Sequence, residues 1–274
     1  MSEYLPLAQQ LVRAAGAVLR ARFHQARTIE FKADNRADLV TDADRASEAL
    51  ILEMLAREVP HHAVLAEEQG AVGQGEWRWI VDPLDGTTNY AHGVPHFCVT
   101  VALQGPEGLV VGATYDPLRD ELFSAARGLG ATLNGQPLRA SRATEVRGAV
   151  LATGFPYRLR ERPELPLGLF SRVVREAEGI RRMGSAALDF AYVAAGRLDG
   201  FFELGLKPWD TAAGALLVSE AGGQVRRIDG APYEPRFGDV VAAAPGLAAE
   251  LTQLCAQAVS SFGWSPESAR DERV

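Results

Sequence analysis

Residues 79–90 read Trp-Ile-Val-Asp-Pro-Leu-Asp-Gly-Thr-Thr-Asn-Tyr. This stretch predicts both a central strand of the fold and the place of a ligand site. Its three leading apolar residues predict a buried strand, which two carboxylates, Asp82 and Asp85, follow at once. Pro83 fixes its own φ and Gly86 permits a tight turn, so both carboxylates can converge on one point. Strand ends are where open α/β sheets place their ligands, so we expect a ligand site here.

Other groups near this segment suit a metal ion and a phosphate. The Leu84 carbonyl offers a third oxygen ligand, and Thr87 and Thr88 offer hydroxyls and backbone N–H groups suited to phosphate. Glu67-Glu68 directly follow another apolar run, and Asp210 opens a predicted helix. Carboxylates packed together repel one another unless a cation neutralises them, and hard oxygen ligands favour Mg²⁺ or Ca²⁺ over zinc.

Each of these acidic residues also has a structural explanation. Asp44 completes a capping-box-like pattern with Thr41, Asp210 sits at a helix start, and Glu67-Glu68 could form a solvated turn. Haloacid-dehalogenase-type phosphatases carry an Asp-x-Asp pair whose first member is the nucleophile. The acids at 82 and 85 are three apart with a proline between, so we interpret them as ligands and keep the nucleophile as an alternative.

Composition limits the class of protein. The 274 residues include 28 Lys+Arg and 35 Asp+Glu, a net charge of −7 without a basic run, which argues against a nucleic-acid partner. No apolar stretch approaches the roughly 18 residues that cross a bilayer, and the N-terminus lacks signal-peptide features. The distant Cys98 and Cys255 suggest buried thiols in a reducing compartment. We therefore predict a cytoplasmic protein with no membrane partner.

Helical and strand patterns alternate along the chain, which predicts layered packing in one domain, residues 1–274, with a flexible polar tail over about 265–274. Helices are expected over the first twenty residues, 41–59, within 163–178, 185–195, 210–221 and 246–259. Strands are expected at 63–66, 78–81, 98–103, 109–115, 121–125, 149–153, 200–204, 224–228 and 239–244. Asn134-Gly135 predicts a type I′ hairpin, and residues 70–75 are interpreted as a mobile flap.

These segments, taken together, resemble the inositol monophosphatase family of Mg²⁺-dependent, lithium-sensitive sugar phosphatases, in its bacterial form. The matching segments are 38–44, 67–68, 82–89, 116–123, 134–135, 153–157, 184–186 and 209–214. The resemblance implies an α+β fold, a layered α-β-α-β-α sandwich, and commonly a homodimer. The family's lysine, usually five residues before the first aspartate of the 38–44 segment, is replaced by Ala33, and Lys32 is the candidate to take its role.

The resemblance also implies roles for individual residues. Two or three Mg²⁺ ions would be held by Glu67, Asp82, the Leu84 carbonyl, Asp85 and Asp210. Asp44 and Thr87, with Glu67, would orient and deprotonate the attacking water. Gly86, Thr87 and Thr88 would bind the phosphate, and Gly184, Ser185, Ala186, Glu203 and Asp210 would line the rest of the substrate.

The expected activity is Mg²⁺-dependent hydrolysis of inositol 1-phosphate or a similar small sugar or polyol phosphate by water. Fructose-1,6-bisphosphatase and histidinol-phosphatase activities on the same site remain open. A protein of another class, a metal-binding interaction module without catalysis, is the alternative. It is disfavoured because the implied metal ligands and the water-activating threonine are all present.

Overall fold

The strands of the computed structural model, which describes residues 2–25, 29–31, 39–157 and 159–264, form a short ribbon and two larger sheets. The ribbon pairs β1 (Ile29–Phe31) with β2 (Leu39–Thr41). The first large sheet contains β3 (Ala63–Ala66), β4 (Gly70–Val72), β5 (Arg78–Asp85), β6 (Cys98–Gly105), β7 (Gly108–Asp116), β8 (Glu121–Ala126), β9 (Gly130–Leu133) and β10 (Gln136–Pro137). The second contains β11 (Val150–Thr153), β12 (Gly179–Arg181), β13 (Gly200–Glu203), β14 (Gln224–Arg227) and β15 (Val240–Ala243).

The order of strands differs from their order in the chain. In the first sheet the spatial order is β10-β9-β8-β7-β6-β5-β3-β4, and in the second it is β12-β11-β13-β15-β14. β3 and β5 are parallel, whereas β5 and β6 are antiparallel. Parallel pairing brings the carboxyl ends of β3 and β5 to the same sheet edge, which places Glu67, directly after β3, beside Asp82 and Asp85 in the last part of β5.

Helices fill the layers on and between the sheets. They are α1 (Leu5–Arg22), α2 (Asp42–Glu58), α3 (Thr87–Ala91), α4 (Glu164–Val174), α5 (Ala186–Ala194), α6 (Pro208–Glu220) and α7 (Ala248–Ser260). Helices α1 and α2 cover one face of the first sheet, α5 and α6 pack between the two sheets, and α4 and α7 cover the far face of the second. This confirms the predicted α+β, α-β-α-β-α sandwich.

Local sequence signals explain several boundaries. Thr41 is the N-cap of α2: its hydroxyl oxygen accepts a hydrogen bond from Ala43 N–H, and the Asp44 carboxylate accepts one from Thr41 N–H. This is the predicted capping box. At the β9–β10 hairpin, Asn134 and Gly135 both have positive φ, 49° and 80°, as a type I′ turn requires.

Some expectations need correction. Within residues 70–75, expected to form a mobile flap, Gly70–Val72 is strand β4, paired with β3, and the mobility of this segment stays a prediction. The strand expected to end at Val81 continues to Asp85, because a shift in register between Asp82 and Asp85 lets β5 rejoin β6. The ribbon β1–β2, the edge strand β12 and the short helix α3 were not predicted.

Other expectations concern burial and the ends of the chain. Cys98 and Cys255 are both buried and unpaired with each other, as predicted. No helix in the described ranges is long and apolar enough to cross a membrane. Lys32 and the tail 265–274 lie outside the described residues, so the predictions for them stay predictions.

Candidate active site

The acidic residues gather where β3 and β5 end. Glu67 follows β3, and its N–H donates to the Val81 carbonyl of the neighbouring strand at 3.2 Å. Asp82 is almost fully buried, and its Oδ1 accepts from Leu84 N–H at 2.9 Å across Pro83. This turn, in which an aspartate bonds the backbone two residues on, holds the Asp82 carboxylate beside Glu67.

Asp85 joins this edge to helix α5, one hundred residues further along the chain. Its Oδ2 accepts from the Ser185 hydroxyl at 2.5 Å and from Ala187 N–H at 2.8 Å. The Cys98 thiol also points at this oxygen, at 3.8 Å. Ser185 is the N-cap of α5, so Asp85 lies at the positive end of that helix.

Asp210 reaches the same cluster from the first turn of α6. Its Oδ2 accepts from Lys207 N–H at 2.7 Å. Burial raises the pKa of Asp210 well above its ordinary value, and the charges of Asp85, Glu67 and Glu203 raise it further. Burial likewise raises the pKa of Asp82, with added repulsion from Glu67, Asp85 and Asp210. Glu67, Asp82, Asp85 and Asp210 thus repel one another when ionised.

A hydroxyl–carboxylate pair borders the cluster. The Thr87 hydroxyl lies 3.2 Å from Asp44 Oδ1 and 2.9 Å from the Leu84 carbonyl. Asp44 is buried at the start of α2, and burial raises its pKa to about 6, although hydrogen bonds from Thr41 oppose the rise. Burial thus moves the protonation of the Asp44 carboxyl to a higher pH than that of an exposed aspartate.

Two glycines shape the loops that face this pair. Gly86 has φ 92°, and a Cβ there would lie 3.0 Å from the His96 carbonyl. Gly184 has φ 84°, and a Cβ would lie 2.6 Å from the Arg182 guanidinium. Both positions therefore favour glycine. Thr88, which follows Thr87 in the first turn of α3, is exposed.

Glu203 and a residue that the sequence did not reveal form the other side of the site. Glu203 ends β13, and its carboxylate lies where a Cβ on Gly154 would stand. Burial raises its pKa to about 8, opposed by Arg182 and reinforced by Asp85. Asp189 on α5 is also buried, and its Oδ1 lacks a hydrogen-bond partner among the described residues. Burial, then Glu203, raises the pKa of Asp189 well above its ordinary value.

The donor set fits a hard divalent cation in its chemistry. Glu67, Asp82, Asp85 and Asp210 supply only oxygen atoms, and their repulsion calls for a positive charge. In this arrangement, oxygens of Asp82, Asp85 and Asp210 accept hydrogen bonds from protein groups. Within the described ranges, no three His, Cys, Asp or Glu side chains form a ready-made metal-binding group. The metal-ligand assignment stays a prediction.

Sequence reasoning missed three further residues that hold the site together. The Ser47 hydroxyl donates to the Pro83 carbonyl at 2.8 Å, and Asn89 Nδ2 donates to the His96 and Met183 carbonyls, each at 2.8 Å. Both carboxylate oxygens of Glu48 accept backbone N–H groups in the turn after Glu67. Asn89 lies in the motif itself, and Ser47 and Glu48 follow Asp44 at helical spacing, which is the signal that could have found them.

The layered fold matches that of a known class of proteins, the one that the sequence resembles. A model of the inositol monophosphatase family matches residues 1–261, and the chain belongs to this family. An inositol monophosphatase from Anabaena (Nostoc) sp. PCC 7120 has a similar structure, with a TM-score of 0.85 at 41% identity, covering 96% of this chain and 99% of that one. A Thermotoga maritima IMPase gives 0.87 at 30% identity, covering 95% and 100%.

Curated relatives bear a different kind of name. Nus factor SuhB of Salmonella typhimurium is 43% identical over 247 residues, which cover 89% of this chain and 92% of that protein. This name describes a factor rather than a phosphatase. The comparisons thus show the family, and they lend no support to the expectation that nucleic acid is excluded as a partner.

Proposed function

We propose that this protein is a Mg²⁺-dependent phosphomonoesterase that acts on inositol 1-phosphate or a similar small sugar or polyol phosphate. The observation that carries the proposal is the cluster of mutually repelling carboxylates, one buried and three half-buried, beside the Thr87–Asp44 pair. Membership of the inositol monophosphatase family supports it. Glu67, Asp82, the Leu84 carbonyl, Asp85 and Asp210 would hold the Mg²⁺.

The chain's own residues would manage the proton of the attacking water. Mg²⁺, when bound, would neutralise the carboxylates and polarise the phosphate ester. The Thr87 hydroxyl donates to Asp44 or to the Leu84 carbonyl, which leaves its oxygen able to accept a proton from water. Asp44, with its pKa of about 6, is ionised for much of the time near neutral pH and can receive the Thr87 proton. Glu67 would orient the same water.

Substrate contacts would come from helix ends. N–H groups in the first turn of a helix lack intrahelical partners, so Gly86, Thr87 and Thr88 at the start of α3 suit a phosphate. The alcohol portion would then lie toward Gly184, Ser185, Ala186 and Glu203. We also propose that the protein is a homodimer, which is supported only by its resemblance to the inositol monophosphatase family.

The test is phosphate release from inositol 1-phosphate, fructose 1,6-bisphosphate and histidinol phosphate, with and without Mg²⁺. We expect Mg²⁺-dependent release that favours one substrate. Thr87→Val keeps the shape of the side chain and should lower kcat about 10²-fold or more, because general acid–base groups contribute at least that factor. Thr87→Ser should retain most of the activity. No release from any substrate by folded, Mg²⁺-loaded protein would contradict the proposal.

The names of the relatives favour one alternative, a role as a factor that does not depend on turnover. In that case the acidic cluster would bind metal to support a binding surface. The panel of substrates separates the two functions, because a protein of the alternative class would bind Mg²⁺ without releasing phosphate.

A further inference from the structure

Glu48 is a buried carboxylate whose two oxygens grip consecutive backbone amides. It lies one helical turn after Asp44 on α2 and is only 1% exposed. Its Oε2 accepts from Glu68 N–H and its Oε1 from Gln69 N–H, each at 2.9 Å. Two hydrogen bonds from consecutive amides to one side chain fix both the place and the tilt of the turn.

This grip acts on the turn that carries Glu67. On its β5 side, Glu67 is tied by its own N–H to the Val81 carbonyl. On its other side, the next two amides are tied to Glu48 on α2. Glu67 thus stands between two anchors, and its carboxylate acts electrostatically on Asp82 and Asp210.

The same face of α2 contacts three segments of the site: the end of β5, the start of α3 and the turn after Glu67. Asp44 accepts from Thr87, Ser47 donates to the Pro83 carbonyl, and Glu48 binds the 67–69 turn. These residues are spaced i, i+3 and i+4, so one rigid helix sets the segments relative to one another. Glu48 is the member that reaches the loop of Glu67.

We propose that Glu48 is a positioning residue for Glu67: by fixing the 67–69 turn, it keeps the Glu67 carboxylate in the cluster that binds Mg²⁺. This inference rests on the proposed function. A glutamine at this position has only one acceptor oxygen, so its amide N–H₂ would face one of the two backbone N–H groups. The turn would then lose one anchor, and Glu67 would lose its fixed direction.

The test measures binding of Mg²⁺ alone by titration calorimetry to the full chain and to Glu48→Gln. Loss of a group that orients a metal ligand typically lowers metal affinity about 10–100-fold, and we expect a weakening in this range. Glu220→Gln is the matched control, because Glu220 binds the 128–130 turn in the same way, with Gly128 N–H at 2.8 Å and Gly130 N–H at 2.9 Å.

The two variants separate positioning from stability. We expect both to lower Tm, Glu48→Gln by more because Glu48 is buried and Glu220 is half-buried. Only Glu48→Gln should weaken Mg²⁺ binding. Equal Mg²⁺ affinity in Glu48→Gln and wild type, or equal weakening in Glu220→Gln, would overturn the inference. Should Glu48→Gln fail to fold, Glu48→Asp keeps both acceptors on a shorter stem and should show a smaller weakening. Failure of both to fold would overturn it too, since Glu48 would then act on folding alone.

The same titration distinguishes this inference from the proposed function. Equally tight Mg²⁺ binding by wild type and Glu48→Gln would contradict the inference and leave the phosphatase proposal standing. If the wild-type protein binds no Mg²⁺, both the proposed function and the role of Glu48 are contradicted.

Discussion

Asp85 makes contacts that a neutral side chain can keep, which lets its charge be tested apart from its shape. In Asp85→Asn, the amide oxygen can still accept from the Ser185 hydroxyl and Ala187 N–H. The cluster loses the negative charge and one ligand oxygen, because the second carboxylate oxygen becomes an amide N–H₂. We expect phosphate release to fall about 10²-fold or more, the usual effect of losing one electrostatic group in a catalytic site, while circular dichroism stays unchanged.

A matched control for this variant lies outside the site. Asp199 accepts from the Ser141 hydroxyl at 2.6 Å and from Val150 N–H at 2.8 Å, the same pair of donor types. Asp199→Asn should leave turnover close to that of the wild type. Retained activity in Asp85→Asn would refute the assignment of Asp85 as a ligand.

Glu203 should make stability depend on pH. Its pKa rises from 4.5 to about 8 in the folded protein, mainly through burial. Between these values the native state holds a proton that the unfolded chain has lost, so the free energy of unfolding falls as pH rises through this window. Glu203→Gln removes this dependence.

Urea unfolding of wild type and Glu203→Gln at several pH values checks the prediction. Relative to the variant, the wild type should lose at least about 1.4 kcal/mol from the low to the high end of the window, the equivalent of one pKa unit. Parallel pH profiles for the two proteins would show that Glu203 does not hold this proton.

Among the elements, α2 links helix stability to the site through its N-cap. The Thr41 hydroxyl oxygen accepts from Ala43 N–H at 3.2 Å, and its O–H donates to Asp44 Oδ2 at 2.5 Å. Thr41→Ala should lower the free energy of unfolding by about 1 kcal/mol, as loss of a capping hydroxyl does. Phosphate release should fall as well, because Asp44 loses one of the bonds that aim it at Thr87.

Denaturant unfolding and phosphate release test the two halves of this prediction, and Thr41→Ser is the control that keeps the hydroxyl. A Thr41→Ala protein with unchanged stability would show that the capping box contributes little. A Thr41→Ala protein with lower stability and full activity would show that the Thr41 cap stabilises α2 without affecting catalysis.

Elements differ in how far the sequence predicts them. Helices α1 and α2 carry several turns of apolar spacing, and α2 adds a capping signal, so both were expected. Strands β4 and β12 have only three residues each, too few for a periodic pattern. They form because β3 and β11, respectively, supply backbone hydrogen-bond partners from a neighbouring strand. Helix α3 is similarly short and follows the Gly86 turn.

For the whole molecule, we propose that residues 1–274 form one domain. Helices α5 and α6 pack against strands of both large sheets, so neither sheet can lose the middle layer without exposing its apolar face. We expect a single thermal transition with equal calorimetric and van't Hoff enthalpies. Two resolved transitions would show that the sheets unfold as separate units.

The sequence alone determined the layered class of fold and identified the segment from Asp82 to Thr87 as a candidate ligand site. Both follow from periodicity, helix caps and turn residues, which act between near neighbours in the chain. Only the tertiary structure decided which distant groups meet there. Ser185 binds Asp85 across one hundred residues, Glu48 grips the turn after Glu67, and Asp189 is buried near Glu203. Such contacts depend on how sheets and helices pack: helical spacing places Glu48 on the same face of α2 as Asp44, but it does not say which turn packs against that face.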